Sequence, residues 1–436
     1  MKFFIWGLAL CAAVVTAGTA VAGTIEGEKT NLGGSNRTLI SYRHQRHMFV
    51  TSDGRVHALM NLGATAKSDN TLYLRSMTPP AGTQWTNQLS LSYSDDTSVS
   101  DGVLLGDVLR VVWQGKDGAA HLVDISYDPS TQKWSKGDSE KVPKPKNAIA
   151  INPSLTVDSA GNTWVAYVRE SGSLQTATIF VYRKDAVTGV WSNTGKKFTP
   201  DDAVYPFSAV KRSARLVTVP DADGERIGMV YTYGPKIYWN ARLASGTATA
   251  KWSGETTLYD GQVEDNEPMS SHFSTQVDGA GNVHLVFTDQ GTLYLTKRLA
   301  STKAWNSPTA ATKVSSKATY AQLALLGGTN IAVVTNYWNT NTTPATMEAR
   351  VMQSADAGRT WACTDRLAHD NLPADAYYNE ARVELPAFPS GRCRCFSSTR
   401  PIANLNPCRR STPCTSASPS RRWLGVNERG LSLSGH

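Results

Sequence analysis

A tight polar turn between two apolar runs recurs along this chain of 436 residues. The copies are HMFVTSDGRVHALMN (47–61), PSLTVDSAGNTWVAYV (153–168) and FSTQVDGAGNVHLVFT (273–288), with LVTVPDADGERIGMVYTY (216–233) as a looser one. Val, Leu, Phe and Tyr flank Asp and Gly, which tolerate the backbone of a hairpin turn, so each copy predicts a β-hairpin. A third apolar run follows at 71–76, 121–128, 178–184, 236–243, 292–298 and 347–356, and after it a tryptophan, at 85, 134, 191, 252, 305 and 361. These tryptophans lie 49 to 61 residues apart, so each unit holds three or four strands. A sheet that small cannot bury both faces until it stacks on a neighbour, and six such units in series predict an all-β fold, a β-propeller. A seventh unit begins at Tyr377, which makes seven blades the preferred count and six the alternative. Tandem sandwiches would need boundary linkers, and no Pro/Gly/Ser-rich or charged linker separates the units.

The propeller is expected over residues 23–390, between two segments of different character. Residues 1–22 read as a signal peptide: Lys2, an apolar run from Phe3 to Val15, and small residues Ala20 and Ala22 ahead of Gly23. Cleavage after Ala22 implies a secreted or periplasmic protein. A lipoprotein reading through Cys11 is disfavoured by the bulk of Leu10. No later run approaches the ~20 apolar residues of a membrane helix, so no integral membrane segment is expected in the mature chain.

Residues 391–436 carry eight Arg, no Lys and one acid, Glu428. That segment accounts for nearly all of the formal charge of +8, and residues 23–390 hold equal numbers of basic and acidic side chains. The basic balance is therefore no argument for a nucleic-acid partner, and none is expected. The same tail holds Cys393, Cys395, Cys408 and Cys414 and shows no hydrophobic periodicity. A one-nucleotide reading-frame slip near Ser390, disrupting the last blade, is the favoured account over a solvated basic tail or a disulfide knot. Under that reading only Cys363 remains, and the body does not depend on disulfides.

Ser354-Ala355-Asp356-Ala357-Gly358-Arg359-Thr360-Trp361 matches S-x-D-x-G-x-T-W at every fixed position. This motif resembles the Asp-box of sialidase-like, or BNR-repeat, propellers. The other units share the Trp, with Asp128 and Asp185 as remnants of the box. Ser354, Asp356, Gly358, Thr360 and Trp361 are structural in this reading: the Asp caps N–H groups of its own turn, the Gly permits the bend and the Trp packs between sheets. The resemblance implies an exported sialidase-like exo-glycosidase that hydrolyses terminal acidic sugars. The alternatives are a BNR-type polysaccharide lyase acting on uronate polymers and a non-catalytic carbohydrate- or protein-binding propeller.

In a propeller, function gathers where first strands enter and second strands leave the central axis. Entry positions include Arg43, His44, Arg46, Asp95, Asp96, Asn152, Tyr205, Phe207, His272, Tyr320, Tyr377, Tyr378, Glu380 and Arg382. Exit positions include Asn61, Gln114, Arg169, Glu170, Tyr233, Asp289, Tyr337 and Trp338. The sialidase resemblance implies three arginines clamping a carboxylate, an Asp acid/base and a Tyr activated by a Glu. Bidentate Arg suits a carboxylate because its planar fork matches two oxygens, and a Tyr nucleophile departs from the usual carboxylate pair. Asp95, Tyr205, His272 and Glu380 are the candidate catalytic residues, and Arg43, His44, Arg46, Arg169, Tyr337 and Arg382 the candidate substrate-binding ones. A lyase would use His44, His272 or Tyr205 as base and Arg46 to neutralise a uronate carboxylate.

Plainer readings compete at several positions. His57 and His284 lie inside second strands and read as packing residues. Arg43, His44, Arg46 and His47 read more readily as a solvated basic edge than as a site, and Glu264, Asp265 and Glu267 as a solvated acidic loop. No metal-ligand spacing, glycine-rich phosphate cradle or dinucleotide fingerprint is present, so no metal or cofactor is expected. The expected partner is a glycan or polysaccharide.

Overall fold

In the computed structural model, the residues described are 24–25, 42, 44–63, 70–77, 85–171, 174–198, 213–233, 236–246, 250–261, 273–289, 292–310, 318–339 and 346–367. After the short β1 (Thr24–Ile25), strands follow in chain order as up-and-down antiparallel sheets. Sheet one holds β2 (Met48–Val50), β3 (Val56–Asn61), β4 (Leu72–Met77) and β5 (Trp85–Ser90). Sheet two holds β6 (Ser100–Leu105), β7 (Val108–Gln114) and β8 (Ala120–Asp128), with β9 (Lys133–Lys136) and β10 (Glu140–Lys141) both on β8.

Sheet three holds β11 (Ile149–Val157), β12 (Thr163–Ser171), β13 (Leu174–Lys184) and β14 (Trp191–Phe198). Sheet four holds β15 (Ala214–Asp221), β16 (Gly224–Tyr233), β17 (Lys236–Leu243) and β18 (Thr256–Asp260), and sheet five β19 (Ser274–Val277), β20 (Val283–Asp289), β21 (Thr292–Arg298) and β22 (Thr309–Ala310). Sheet six holds β23 (Ala318–Gly327), β24 (Asn330–Asn339), β25 (Thr346–Ser354) and β26 (Ala362–Leu367), and β1 adds to β26 in parallel. Among the described residues, six sheets in series, antiparallel throughout from β2 to β26, are consistent with a propeller. The expected seventh unit, from Tyr377, lies outside the described residues.

The turns show why the repeat folds as hairpins. Asp158 Oδ1 accepts from the N–H groups of Ala160 (3.1 Å) and Asn162 (2.8 Å), and its Oδ2 accepts from Trp164 Nε1 at 2.8 Å. Asp278 does the same with Ala280 (3.0 Å) and Asn282 (2.9 Å), and pairs with His284 Nε2 at 2.8 Å. Asn162 and Asn282 each accept from a third-strand-end amide, Ala186 N (2.9 Å) and Ala300 N (3.0 Å). Gly161 and Gly281 take φ of +83° and +81°, which a side chain would oppose. Equivalent residues thus do equivalent work in sheets three and five, with Trp164 replaced by His284.

The core lies between successive sheets. Phe49, Leu59 and Leu74 pack on Leu109, Val111 and Trp113 between sheets one and two. Val112 and Leu122 meet Leu155 and Val165 between two and three, and Val168 and Ile179 meet Leu216 and Met229 between three and four. Val217 and Trp239 meet Phe273 and Leu285 between four and five, and Val286 and Leu295 meet Leu323 and Val333 between five and six. Each side chain fully buried in this way is worth roughly 1.5–3 kcal/mol, so no sheet is stable without its neighbour.

The repeated tryptophans reach back to the preceding sheet. Trp134 Nε1 donates to His57 Nδ1 at 3.0 Å, Trp191 Nε1 to Glu140 Oε2 at 3.3 Å, and Trp252 Nε1 to Thr194 Oγ1 at 3.3 Å. Trp305 meets Trp239 edge-on at 5.3 Å, and Trp361 packs on the cluster that holds Leu295. His57 and His284 are buried packing residues with polar partners.

Candidate functional site

First strands from four sheets converge on one buried ion pair. Asp101, at the start of β6, is fully buried, and its Oδ1 accepts from the N–H groups of Arg46 (2.8 Å) and Gly102 (3.1 Å). Its Oδ2 accepts from Leu155 N at 2.7 Å and from Arg215 Nη1 of β15. Arg215 is 1% exposed, and its Nε and Nη2 have no partner among the described residues. Beside this pair Gln45 Nε2 donates to Pro153 O at 2.8 Å, and His44 stacks on Phe273 at 5.4 Å. The segment 44–47, from sheet one, therefore touches sheets two, three and five.

This hub makes His44 a buried structural ring rather than part of a solvated edge, since it is 2% exposed. Arg46 is half-buried and joins the hub through its backbone. The edge reading of His44 and His47 is thereby corrected: His47 is buried, its Nε2 2.9 Å from Ser100 O. Interleaving the 44–47 segment with other first strands removes these side chains from water, which their polar sequence did not announce.

One end of the hub carries a continuous polar rim built from strand entries and exits. Asn61, at the end of β3, donates through Nδ2 to Asp95 O (2.8 Å) and Ser98 O (2.9 Å). Asp95 Oδ1 accepts from Thr97 N (2.9 Å) and Thr97 Oγ1 (2.8 Å), so this carboxylate anchors its own turn. Gln114, at the end of β7, donates to Thr97 O at 3.4 Å and accepts from Asn152 N at 3.3 Å. Asn152 adopts φ +50° at a bulge where the β11–β12 register shifts, a device that re-aims side chains at strand ends. Ala150, two residues earlier, pairs in register with Arg169.

Arg169 is the rim residue whose chemistry is unmet. It is half-buried, its Nε has no partner, and no carboxylate faces it among the described residues. At the same end Tyr93 is 48% exposed with φ +61°, its carbonyl held by Lys116 N at 2.8 Å. Its ring stacks on His121 at 4.9 Å, and His121 Nε2 lies 2.9 Å from Asp117 Oδ1. Lys141 Nζ pairs with Asp117 Oδ2 at 2.8 Å. Burial alone would raise the Asp117 carboxyl, but the hydrogen bonds from Lys141 and His121 outweigh it and hold it at about 2. Tyr93 and this cluster were not singled out by pattern, because a lone aromatic in a polar turn has no period.

Other exit residues are occupied structurally. Tyr233 packs against Tyr231 and Tyr238, and Asp289 Oδ2 accepts from Tyr259 OH at 2.8 Å. Tyr337 lies in β24 opposite Ala318 and Glu348. Arg43, Tyr205, His272, Glu380 and Arg382 lie outside the described residues, as do Glu264, Asp265 and Glu267.

The Ser354–Trp361 segment is a self-bonded turn at the opposite end, between β25 and β26. Asp356 Oδ1 accepts from Thr360 N at 2.8 Å and Oδ2 from Thr360 Oγ1 at 2.6 Å, while Ser354 Oγ accepts from Gly358 N at 2.8 Å. Those bonds, led by the Thr360 hydroxyl, hold the Asp356 carboxyl down at about 2. Asp128 and Asp185 accept from Ser130 N (2.9 Å) and Thr188 N (3.0 Å) in the matching turns. Among the described residues no group of three or more His, Cys, Asp or Glu side chains is gathered to hold a metal, and no helix is long and apolar enough to cross a membrane.

No family model matches the chain, and no curated protein matches it by sequence. Solved structures are similar to it at low identity. An Aleuria aurantia lectin in complex with α-methyl-L-fucoside is 14% identical over 76% of this chain and 96% of its own, with a TM-score of 0.42. A Penicillium chrysogenum α-L-arabinanase complexed with arabinobiose is 13% identical over 70% and 94%, with a TM-score of 0.42. A Pseudomonas aeruginosa periplasmic gluconolactonase is 12% identical over 73% and 84%, with a TM-score of 0.45. The functional reading rests on the residues of this chain.

Proposed function

We propose that this chain is an exported β-propeller that binds acidic glycans at the end carrying Tyr93, Gln114, Asn152 and Arg169. The observation that carries the reading is Arg169: a half-buried guanidinium at the rim with no carboxylate partner among the described residues. Such a group favours an anionic ligand, and its planar fork suits a sugar carboxylate. The exposed Tyr93 ring supplies an apolar face at the same end, against which a sugar ring can pack.

Binding is favoured over hydrolysis because Asp95 is tied to its own turn rather than free to shuttle a proton. The exo-glycosidase implied by the Asp-box resemblance would draw on Arg43, Tyr205, His272, Glu380 and Arg382. The test is calorimetric titration with sialyl and uronate oligosaccharides, with product analysis of the same mixtures. Saturable binding that falls at least about tenfold in Arg169→Ala, with no product, supports the proposal. Released sialic acid would mark an exo-glycosidase instead, unsaturated uronate ends a lyase, and an unchanged affinity in Arg169→Ala would overturn the assigned site.

A further inference from the structure

A cavity, remote from the axial rim, opens between the outer parts of sheets four and five. Its volume is about 580 Å³, the size of one or two sugar rings. The fourth strand of sheet five is cut to two residues: after β21 the chain makes a loop, returns to β21 through the Arg298–Trp305 bridge and the bonds of Asn306 to Lys297 and Thr296, and places residues 303–308 in the cavity lining with β18 residues 256–258.

The chemistry of this cavity is specific. Trp239 and Trp305 meet at 5.3 Å edge-on and provide its apolar surface. Trp305 Nε1 is buried with no hydrogen-bond partner among the described residues, an unmet donor that ordinarily demands one. Three cations line the space, Arg226, Arg298 and Lys303, and they face two carboxylates. Arg298 is spent on Asp221, which it grips through both Nη atoms at 2.9 and 2.7 Å. Arg226 Nε also lies 3.1 Å from Asp221 Oδ2, and Arg226 Nη2 and Lys303 Nζ share the carboxylate of Asp223 at 2.7 and 2.8 Å. Glu255, between two lining residues, is turned to Tyr231 on the other face of the sheet. One positive charge is therefore in excess, at the mouth of an aromatic pocket.

We infer that this cavity is a binding site for an acidic monosaccharide unit such as a hexuronate, independent of the axial rim. The apolar face of the sugar ring packs on the indole surface, and the carboxylate joins Lys303 and Arg226 beside Asp223. Lys303 takes a left-handed φ of +58° in its turn, as Gln132 does two residues before Trp134.

The test is titration of the full chain with galacturonate and with galactose, followed by tryptophan fluorescence, in the wild type, Lys303→Gln and Trp305→Phe. Lys303→Gln removes the excess charge at an exposed position, and Trp305→Phe shortens the aromatic surface on which the sugar ring packs. Melting temperatures of both variants establish that each is folded. The expected result is saturable galacturonate binding at least about tenfold tighter than galactose, weakened about tenfold in folded Lys303→Gln and weakened also in folded Trp305→Phe. Equal affinity for the two sugars, no saturable binding, or binding unchanged in Lys303→Gln, as sugar held at the axial end would give, each overturns the assignment.

Discussion

The Asp101–Arg215 pair makes an asymmetric prediction. Removing the guanidinium in Arg215→Met leaves Asp101 buried but still accepting from three backbone N–H groups, those of Arg46, Gly102 and Leu155. Breaking a buried pair from one side costs about 3–5 kcal/mol, and the remaining donors to the carboxylate place this variant at the low end, ~3 kcal/mol. Asp101→Ala instead strands the Arg215 charge and also orphans the amides of Arg46 and Leu155, each costing ~1–3 kcal/mol, while Gly102 N keeps Arg46 O as acceptor. Its total, ~5 kcal/mol or more, reaches the whole stability of a marginal domain. Urea unfolding followed by tryptophan fluorescence reads the difference: Arg215→Met folds with a lowered midpoint, and Asp101→Ala is unfolded or nearly so without denaturant. Equal losses in the two variants, or losses below ~0.5 kcal/mol, would refute the view that this carboxylate ties the first strands together.

Other consequences follow from single contacts. Burial pulls the His57 imidazole down to about 3, and the unfolded chain binds that proton near 6.5, so the folded state loses stability as pH falls from 6.5 toward 3. The slope reaches about 1.4 kcal/mol per pH unit for this one proton, and urea midpoints between pH 6.5 and 4 should flatten in His57→Gln. Gly228→Ala places a methyl 1.9 Å from the Trp239 ring and should cost about 1–3 kcal/mol by overpacking, measured as a fall in melting temperature. Asp356→Ala removes the acceptor of Thr360 N–H and Oγ1–H, and faster hydrogen exchange at Thr360 with little change at the axial rim is the expected signature.

The repeat was legible because hairpin turns leave strong local marks. Asp158 and Asp278 sit four residues before Asn162 and Asn282, and the same bonds form in both copies. The tryptophan spacing likewise reported a real contact, since Trp134, Trp252 and Trp305 each reach the sheet before their own. The hub was not legible. Asp101 lies in SDGVLL, where Asp beside Gly reads as turn chemistry, and Arg215 in ARLVTV reads as an exposed strand residue. Their partnership joins sheets two and four across 114 positions, and nothing local in either segment encodes it. His44 illustrates the same limit: its neighbours are polar in sequence, but its environment comes from Phe273, which is far away along the chain.

Asp95 shows how one carboxylate supports two readings. An Asp at a strand entry suggests acid/base chemistry by position, yet its Thr97 and Ser98 neighbours are the partners of an Asx turn, and the structure uses them so. Arg169 was found from position alone, as a second-strand exit. Its lack of a carboxylate partner emerged only once the sheets were stacked.

Hydrogen exchange with and without a saturating acidic oligosaccharide tests the central claim most directly, because it reports which end of the stacked sheets meets the ligand. The account predicts slowed exchange at residues 91–98, 115–119 and 148–152 and in β12 around Arg169, with the hairpin turns at 53–54, 158–162 and 278–282 unchanged. Protection confined to those turns, or none under saturating ligand, would contradict it.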